Sequence, residues 1–258
     1  MKTRLPSLIR CAFAALFLCF AFAAASAWAQ SGRELIEESI RRHLPPPYVY
    51  QEQTLILSDP LGQNTVRTLR YYARRDASGV KRLAVIHTPE DLRGMTVLVT
   101  RDAKGGERRG PDPSSPLFGS SLSVADFEGE RPADFTYEVE DSQDLDRISH
   151  YVLRAAPRDE AVGRATGYGV RRIYLRKDNL FVSRVDFLDR QGRLARRITF
   201  RDPRPDDSGI WRPGMILAED LREDRRTLLK VERRVHSADY VPDAVFEERR
   251  GELRSGLR

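Results

Sequence analysis

The chain has 258 residues and a formal net charge of +6, from 44 lysines and arginines against 38 aspartates and glutamates. This length suits one domain with a substantial core, or at most two small domains. No long apolar run follows residue 29, which argues against membrane-spanning helices in the rest of the chain.

The first 29 residues have the three parts of a secretory signal. Three basic residues lie within the first ten positions, an apolar run follows at 11–25, and Ala27-Trp28-Ala29 supplies the small residues that a signal peptidase requires. The apolar run is shorter than the roughly 20 residues of a membrane-spanning helix. We therefore predict a signal peptide cleaved after Ala29 and a periplasmic location in a bacterium with two membranes.

Cleavage would remove both cysteines, Cys11 and Cys19, together with three basic residues. The mature chain then has no disulfide, no cysteine nucleophile and no thiolate metal site. Its net charge falls from +6 to +3, which argues against a nucleic-acid partner. A lipoprotein anchor would require a cysteine at the cleavage point, whereas Cys19 lies in the middle of the apolar run.

The mature chain begins with an amphipathic helix, predicted at 31–44, whose apolar residues share one face. Three prolines at 45–47 end it. From Tyr48 onward, apolar residues tend to recur at every second position, which is typical of strands. Eleven strands are predicted, at 48–57, 66–74, 80–87, 95–101, 135–140, 147–155, 169–176, 181–188, 194–201, 211–220 and 226–235.

Several of these strands alternate between apolar and charged residues. Their apolar sides are formed by Phe181, Val185 and Phe187, by Leu194, Ile198 and Phe200, and by Leu229, Val231 and Val235. This pattern indicates an antiparallel sheet with one solvated face, not a parallel sheet buried on both faces. A long antiparallel meander can protect its edges by curling into a barrel or part of one. Short helical pieces are predicted near 122–128 and 243–249.

Residues that carry catalytic chemistry are sparse. The four histidines are isolated from one another, so a zinc site would need ligands from distant strands. The serines within 118–122 do not form a Gly-x-Ser-x-Gly elbow, and the acidic residues within 138–146 lack the spacing of a calcium loop. We predict no catalytic residue, no metal and no cofactor. A pair of carboxylates for glycoside hydrolysis could still come together from any two strands.

Two sequence blocks resemble a known family. In the first, 85–98, a strand ends in a turn from Pro89 to Gly94 and the next strand follows. In the second, 118–127, Phe-Gly-Ser-Ser-Leu precedes a short acidic piece. Together they resemble the outer-membrane lipoprotein-sorting protein group of the LolA-like superfamily, which has a Pro-Ala-Asp-x-x-Gly-type turn and a later Phe-x-Gly-Ser-Asp-Phe segment.

Further segments follow in the same order as in that group. They are a hairpin at 59–74, a second hairpin at 174–201, Trp211-Arg212-Pro213 in place of a Trp-x-Pro motif, and a closing piece at 241–249. The likeness covers about 33–249, nearly the whole mature chain. The chain departs from the group before the second block, where it has no tryptophan, and within that block, where a serine replaces an aspartate.

The resemblance implies a mainly β fold with a few helices, an incomplete (half-open) antiparallel β-barrel wrapped over helices, in a single domain at 30–258. It also implies a carrier, not an enzyme, that binds lipid or lipoprotein acyl chains in an apolar concave cavity and moves them between inner and outer membranes. An inner-membrane exporter and an outer-membrane acceptor are the protein partners that such a carrier would need.

The alternating apolar residues supply candidates for the lipid-binding cavity: Leu55, Leu57, Leu69, Tyr71, Met95, Val97, Tyr137, Val139, Ile173, Leu175, Val185, Phe187, Ile198, Phe200, Met215 and Leu217. The candidate lid residues are Leu117, Phe118, Leu122 and Phe127. This prediction depends on the phase of each strand, because a shift of one residue turns every side chain to the other face.

Two other functions also fit the sequence. The first is an envelope sensor or adaptor on the same fold, which would bind a membrane or export-system protein. The second is an envelope hydrolase, which requires acids or histidines inside the cleft. A deep apolar groove would favour the carrier, whereas a face filled by its own side chains would favour the adaptor.

Overall fold

A computed structural model describes residues 31–103, 106–189 and 191–247. The predicted leader with its cleavage site, and the last residues of the helix predicted at 243–249, lie outside these ranges. No helix within the described ranges is long and apolar enough to cross a membrane.

The first helix, α1, extends over Gly32–Arg42, within the predicted span. Leu35 and Ile36 are buried on the face that packs against the sheet. A glutamate in its first turn and two arginines in its last turn complement the helix dipole. Three prolines then lead into the first strand.

Twelve strands form one antiparallel sheet. They are β1 Tyr48–Ser58, β2 Asn64–Asp76, β3 Gly79–Thr88, β4 Thr96–Asp102, β5 Arg108–Arg109, β6 Phe135–Leu145, β7 Ile148–Pro157, β8 Arg171–Arg176, β9 Val182–Leu188, β10 Leu194–Pro205, β11 Trp211–Asp220 and β12 Arg225–Val235. β5 was not predicted, because its two arginines carry no apolar alternation. β6 extends beyond the predicted end at residue 140, because 141–145 pair with β7 in a hairpin.

Three further α-helices are short: α2 Val124–Glu128, α3 Glu160–Thr166 and α4 Ala244–Glu247. Single 3-10 turns occur at Glu90–Leu92, Leu117–Gly119, Pro132–Asp134 and Ala238–Tyr240. Helix α2 matches the piece predicted at 122–128, and α4 falls within 243–249. α3 was not predicted, although Asp159 caps it by accepting a hydrogen bond from the backbone N–H of Val162 at 2.9 Å.

The strand order shows how the chain covers its own sheet. That order is β5-β4-β3-β2-β1-β12-β11-β10-β9-β8-β7-β6. The chain meanders outward from β1 to β5, continues at β6 on the opposite edge, and returns to β12, which pairs with β1. The connection from β5 to β6, residues 110–134, therefore joins the two edges of the sheet. We call it the crossing segment.

The sheet is open, since β5 and β6 do not pair with each other. The predicted half-open antiparallel barrel with few helices is thus confirmed. We call the face toward α1 and the crossing segment the inner face. It carries two buried apolar clusters, one with the crossing segment and one with α1. Val185 packs against both, so the two clusters are neighbours on one face.

The opposite, outer face is covered in part by the C-terminal region. Tyr50, Leu83 and Leu98 pack there with Val241 and Phe246. The last two residues follow β12, so the end of the described chain folds back over β1, β3 and β4. The inner face is left to α1, the crossing segment and α3.

A β-bulge changes the phase of β12. Gln53 lies opposite Val231, but the preceding residue, Glu52, lies opposite Arg233, so one residue of β12 is unmatched. The side chains after it turn to the other face, and Val235 packs in the outer cluster. The prediction that Val235 continues the apolar side of Val231 is therefore wrong.

Candidate functional site

An apolar cavity of about 850 Å³ lies between the inner face and the elements that cover it. Ile36 of α1, Leu122 and Phe127 of the crossing segment, and Val162 of α3 contribute to its wall. Sites for small molecules commonly measure about 300–1,000 Å³, so a ligand of lipid size fits this space.

Strands from both halves of the sheet form the rest of the apolar wall. They contribute Leu69, Tyr71, Ala84, Phe135, Ile173, Val182, Val185, Phe187, Ile198, Phe200, Ile216 and Leu229. The ring of Tyr71 meets that of Phe127 edge-on at 5.5 Å, which joins the sheet to the crossing segment. Tyr168 packs on Phe187 at 4.4 Å, and burial raises the pKa of its phenol to about 12.

The predicted lipid-binding residues fall into three groups. Seven line the cavity: Leu69, Tyr71, Ile173, Val185, Phe187, Ile198 and Phe200. Five belong to or pack against the inner-face clusters without lining it: Leu55, Leu57, Val97, Tyr137 and Leu175. Four belong to neither group: Met95 and Val139, which are exposed, and Met215 and Leu217.

Strand β11 shows why the sequence alone did not predict which of its side chains face the cavity. Met215, Ile216 and Leu217 are consecutive apolar residues, so alternation does not say which of them faces inward. Ile216 pairs with Leu229 of β12, and both line the cavity. The pleat therefore places Met215 and Leu217 on the other face.

The predicted lid residues all belong to the crossing segment. Leu117, Leu122 and Phe127 line the cavity, and Phe118 is buried in the adjoining cluster. Phe118 has a left-handed backbone, with φ at +50°, a conformation that favours glycine. Burial of its ring offsets the conformational cost, and the chain reverses direction at this point.

Asp126 of the crossing segment binds a buried arginine of the sheet. Its carboxylate accepts the backbone N–H of Ser123 at 2.7 Å, which caps α2. The same carboxylate accepts two hydrogen bonds from Arg196 of β10, at 2.5 and 2.8 Å. The Arg196 side chain is only 3% exposed and lies over the ring of Phe187 at 4.0 Å.

Two further carboxylates of the crossing segment bind arginines nearer the edges of the sheet. Glu128 contacts Arg101 of β4 at 2.9 Å and Arg108 of β5 at 2.6 Å. Glu130 accepts two hydrogen bonds from Arg171 of β8, both at 2.8 Å. We call residues 126–130 the acidic stretch. Its carboxylates hold it to both halves of the sheet across the cavity.

The polar groups around the cavity have structural partners. Asp134 pairs with Arg131 at 3.1 Å, and Asp159 caps α3. The lining residues include no histidine, and no group of three or more potential metal ligands occurs within the described ranges. This arrangement can enclose an apolar guest.

Some lining residues were missed by the sequence prediction. Leu229 could have been predicted, because it lies on the apolar side of β12. Ile36 could also have been predicted, because it lies on the apolar face of α1. Ile216 required the strand register. The α3 residues Ala161 and Val162 required recognition of its capped start.

Comparisons with known proteins agree with this geometry. A family model described as an uncharacterized protein matches residues 78–250. No curated protein matches the chain. A solved DUF1329 family protein from Desulfovibrio piger has a TM-score of 0.74 and 21% identity, over 86% of this chain and 98% of that one.

Two other solved structures are similar over most of their length. A protein described as an outer-membrane lipoprotein-sorting protein domain, from Vibrio parahaemolyticus, has a TM-score of 0.71 and 17% identity, over 84% of this chain and 96% of that one. A LolA superfamily protein from Nitrosomonas europaea has a TM-score of 0.63 and 18% identity, over 84% and 98%.

At these identities the structural likenesses show the fold. They confirm the LolA-like fold that the resemblance of the two sequence blocks implied. The chain has a LolA-like fold, and it belongs to the family of uncharacterized proteins whose model matches residues 78–250.

Proposed function

We propose that this chain is a periplasmic carrier that holds lipid or lipoprotein acyl chains in its cavity and moves them between the inner and outer membranes. The cavity of about 850 Å³ is the observation that carries the proposal. Protein interiors are normally packed as densely as organic crystals. An apolar space of this size between packed elements therefore favours binding over a purely structural role.

The energetics of lipid transfer explain why such a protein needs no catalytic group. An acyl chain gains about 0.8 kcal/mol per CH₂ on leaving water. A 16-carbon chain therefore meets a barrier on the order of 12 kcal/mol when it crosses an aqueous space alone. A cavity lined by aliphatic and aromatic side chains lowers that barrier.

The predicted leader supports the location, since it would send the chain to the space between two membranes. A carrier there would take its cargo from an inner-membrane exporter and deliver it to an outer-membrane acceptor. The name of one structurally similar protein, which is described by lipoprotein sorting, supports the same kind of cargo.

A matched pair of substitutions on β11 tests the cavity. Ile216→Glu places a carboxylate in the apolar wall, whereas Leu217→Glu places one on the opposite face of the same strand. An uncharged, pyrene-labelled alkyl alcohol, hereafter the neutral alkyl probe, reports binding by fluorescence. We expect at least about tenfold weaker binding for I216E, because an acyl chain would have to desolvate the charge, and wild-type binding for L217E.

The outcome also separates the alternatives. A folded protein that does not take up the neutral alkyl probe would contradict the carrier proposal. Capture of a membrane protein by both the wild type and I216E, without lipid, would instead favour the adaptor. Hydrolysis of an envelope substrate would favour the envelope hydrolase. The cavity acids described above, however, are held by arginines or cap a helix.

A further inference from the structure

A second, smaller cavity of about 150 Å³ adjoins the apolar one, and Gln51 and Tyr71 line both. Its other walls come from the residues that follow α1 and from β2, β3, β11 and β12. Apart from Tyr71, the charged or titratable residues that line it are all basic types: Arg74, Arg75, Arg82, Arg212, Arg234 and His236. We call it the basic pocket.

The strand register brings Arg82, Arg212 and Arg234 together on the inner face. Gln51 of β1 pairs with Tyr71 of β2 on one side and with Arg234 of β12 on the other. Arg82 lies two residues from Ala84, which is buried in the inner-face cluster. The bulge in β12 determines the position of Arg234, because it turns this side chain to the inner face.

The positive charge of the basic pocket is only partly compensated. Asp206, which is 7% exposed, contacts Arg212 at 3.3 Å and His236 at 3.1 Å. Within the described ranges, no carboxylate lies within 4.0 Å of a charged nitrogen of Arg82 or Arg234. Asp206 thus serves two basic side chains, and Arg74 pairs with Asp76 and Asp243. Among the described residues, Arg75, Arg82 and Arg234 have no ion pair.

Several buried nitrogens here also have no hydrogen-bond partner. These buried atoms, unpartnered among the residues that the structure describes, are Nη2 of Arg212, Nε of Arg234 and Nδ1 of His236. Other nitrogens of the two arginines are occupied, by the His43 carbonyl at 2.7 Å and the Pro213 carbonyl at 3.2 Å. Burial lowers the pKa of Arg234, and the charge of Arg212 lowers it further. The unpaired buried N–H groups of Arg212 and Arg234 carry positive charge, so they are suited to an anionic acceptor.

We propose that the basic pocket binds the anionic group, a carboxylate or phosphate, of an amphiphile whose alkyl chain occupies the apolar cavity. This inference rests on the proposed carrier function. Planar guanidinium groups match both anions through paired hydrogen bonds. The pocket is several times the volume of about 30 Å³ that one water takes up in the liquid, so such a group fits.

The wall shared by the two cavities explains why the anionic group and the alkyl chain belong to one ligand. Tyr71 presents its ring to Phe127 in the apolar cavity, and its hydroxyl interacts with Arg82. Burial raises the pKa of the Tyr71 phenol, and the arginine opposes that rise. The side chain is therefore apolar toward one cavity and a hydrogen-bonding group toward the other.

Competition against the neutral alkyl probe tests the inference. The competitors are dodecyl phosphate, dodecanoate, dodecanol and inorganic phosphate. We expect both anionic amphiphiles to bind the wild type at least about tenfold more tightly than dodecanol, with inorganic phosphate failing to compete. Arg234→Gln and, independently, Arg82→Gln should remove most of this preference. Arg233→Gln, which changes an exposed neighbour on β12, should retain it.

Three other results would each contradict a different part of the proposal. Equal binding of dodecanol and dodecyl phosphate would overturn this inference and leave the carrier proposal intact. If inorganic phosphate competes as strongly as dodecyl phosphate, the ligand is not an amphiphile and the pocket is a site for free anions. Failure of every alkyl ligand, including dodecanol and the neutral alkyl probe, would overturn the carrier proposal itself.

Discussion

Two parts of the molecule cover the inner face, α1 and the acidic stretch, and they are attached by different kinds of contact. α1 buries Leu35 and Ile36 almost completely among apolar side chains of β6, β7 and β8. The acidic stretch is held by carboxylates that bind arginines on β4, β5, β8 and β10. Apolar burial is lost whenever α1 separates from the sheet, whereas ion pairs can exchange their partners for water.

This difference suggests which part of the covering can move. Burial of a leucine or isoleucine contributes about 1.5–3 kcal/mol. A buried ion pair is close to neutral overall, because desolvation offsets most of its Coulomb energy. We expect α1 to be a fixed part of the fold and the acidic stretch to be the part that opens when cargo enters.

The largest effect is expected for Leu35→Ala. Loss of this fully buried side chain should lower the free energy of unfolding by about 2–5 kcal/mol, as measured by urea denaturation. Glu37→Ala is the matched control on the exposed face of α1 and should stay within about 0.5 kcal/mol of the wild type. Equal effects of the two would show that α1 is not held by apolar packing.

Glu128→Gln should have a smaller effect on stability and a distinct effect on exchange. It leaves Arg101 and Arg108 without their carboxylate, at a cost of about 1–3 kcal/mol. We expect the neutral alkyl probe to leave this variant several times faster than the wild type in stopped-flow displacement. Glu107→Gln, which breaks an exposed pair with Arg109, is the control. Unchanged release from E128Q would mean that the acidic stretch does not gate the cavity.

Acid titration tests the ionic contacts that Asp206 makes with Arg212 and His236. Burial would raise the pKa of Asp206, but hydrogen bonds from Ser208, Ile210 and Arg212 prevail and lower it to about 2. The contribution of Asp206 to stability is therefore complete above its ordinary pKa of about 4 and is lost as the pH falls from about 4 to 2. Asp206→Asn should remove this part of the pH dependence of the unfolding free energy. An unchanged pH profile would contradict the assignment.

The smallest expected effect is that of salt. Raising the ionic strength from about 0.1 to 1 M shortens the screening length from about 10 to 3 Å. Release of the neutral alkyl probe should then become a few-fold faster, because the arginine pairs of Glu128 and Glu130 are partly accessible. Apolar attachment of α1 predicts that L35A and the wild type keep the same difference in stability at both salt concentrations.

Features that depend on local sequence were predictable, whereas features that depend on contacts between distant segments were not. The helix at the start, the eleven longer strands and the half-open sheet follow from local periodicity, from the prolines at 45–47 and from the family resemblance. The inward phase of β11 did not, because three apolar residues in succession carry no alternation. The phase change in β12 depends on a bulge, which is set by pairing with β1 and not by local sequence.

Long-range electrostatics were the least readable feature. Asp126 and Glu128 fall in the helical piece predicted near 122–128, and no partner was predicted for them or for Glu130. Their arginine partners lie between 20 and 70 residues away in sequence. The basic pocket likewise combines residues of β3, β11 and β12, and no linear motif brings Arg82, Arg212 and Arg234 together.

Direct identification of bound cargo tests the carrier proposal most directly. The protein would be purified from the periplasm of cells that express the full chain, and its mass would be measured under native conditions before and after lipid extraction. The account predicts a bound acyl-containing ligand that extraction removes, and a lower occupancy in I216E than in L217E. A wild-type protein that is empty as isolated and also takes up no neutral alkyl probe would contradict it.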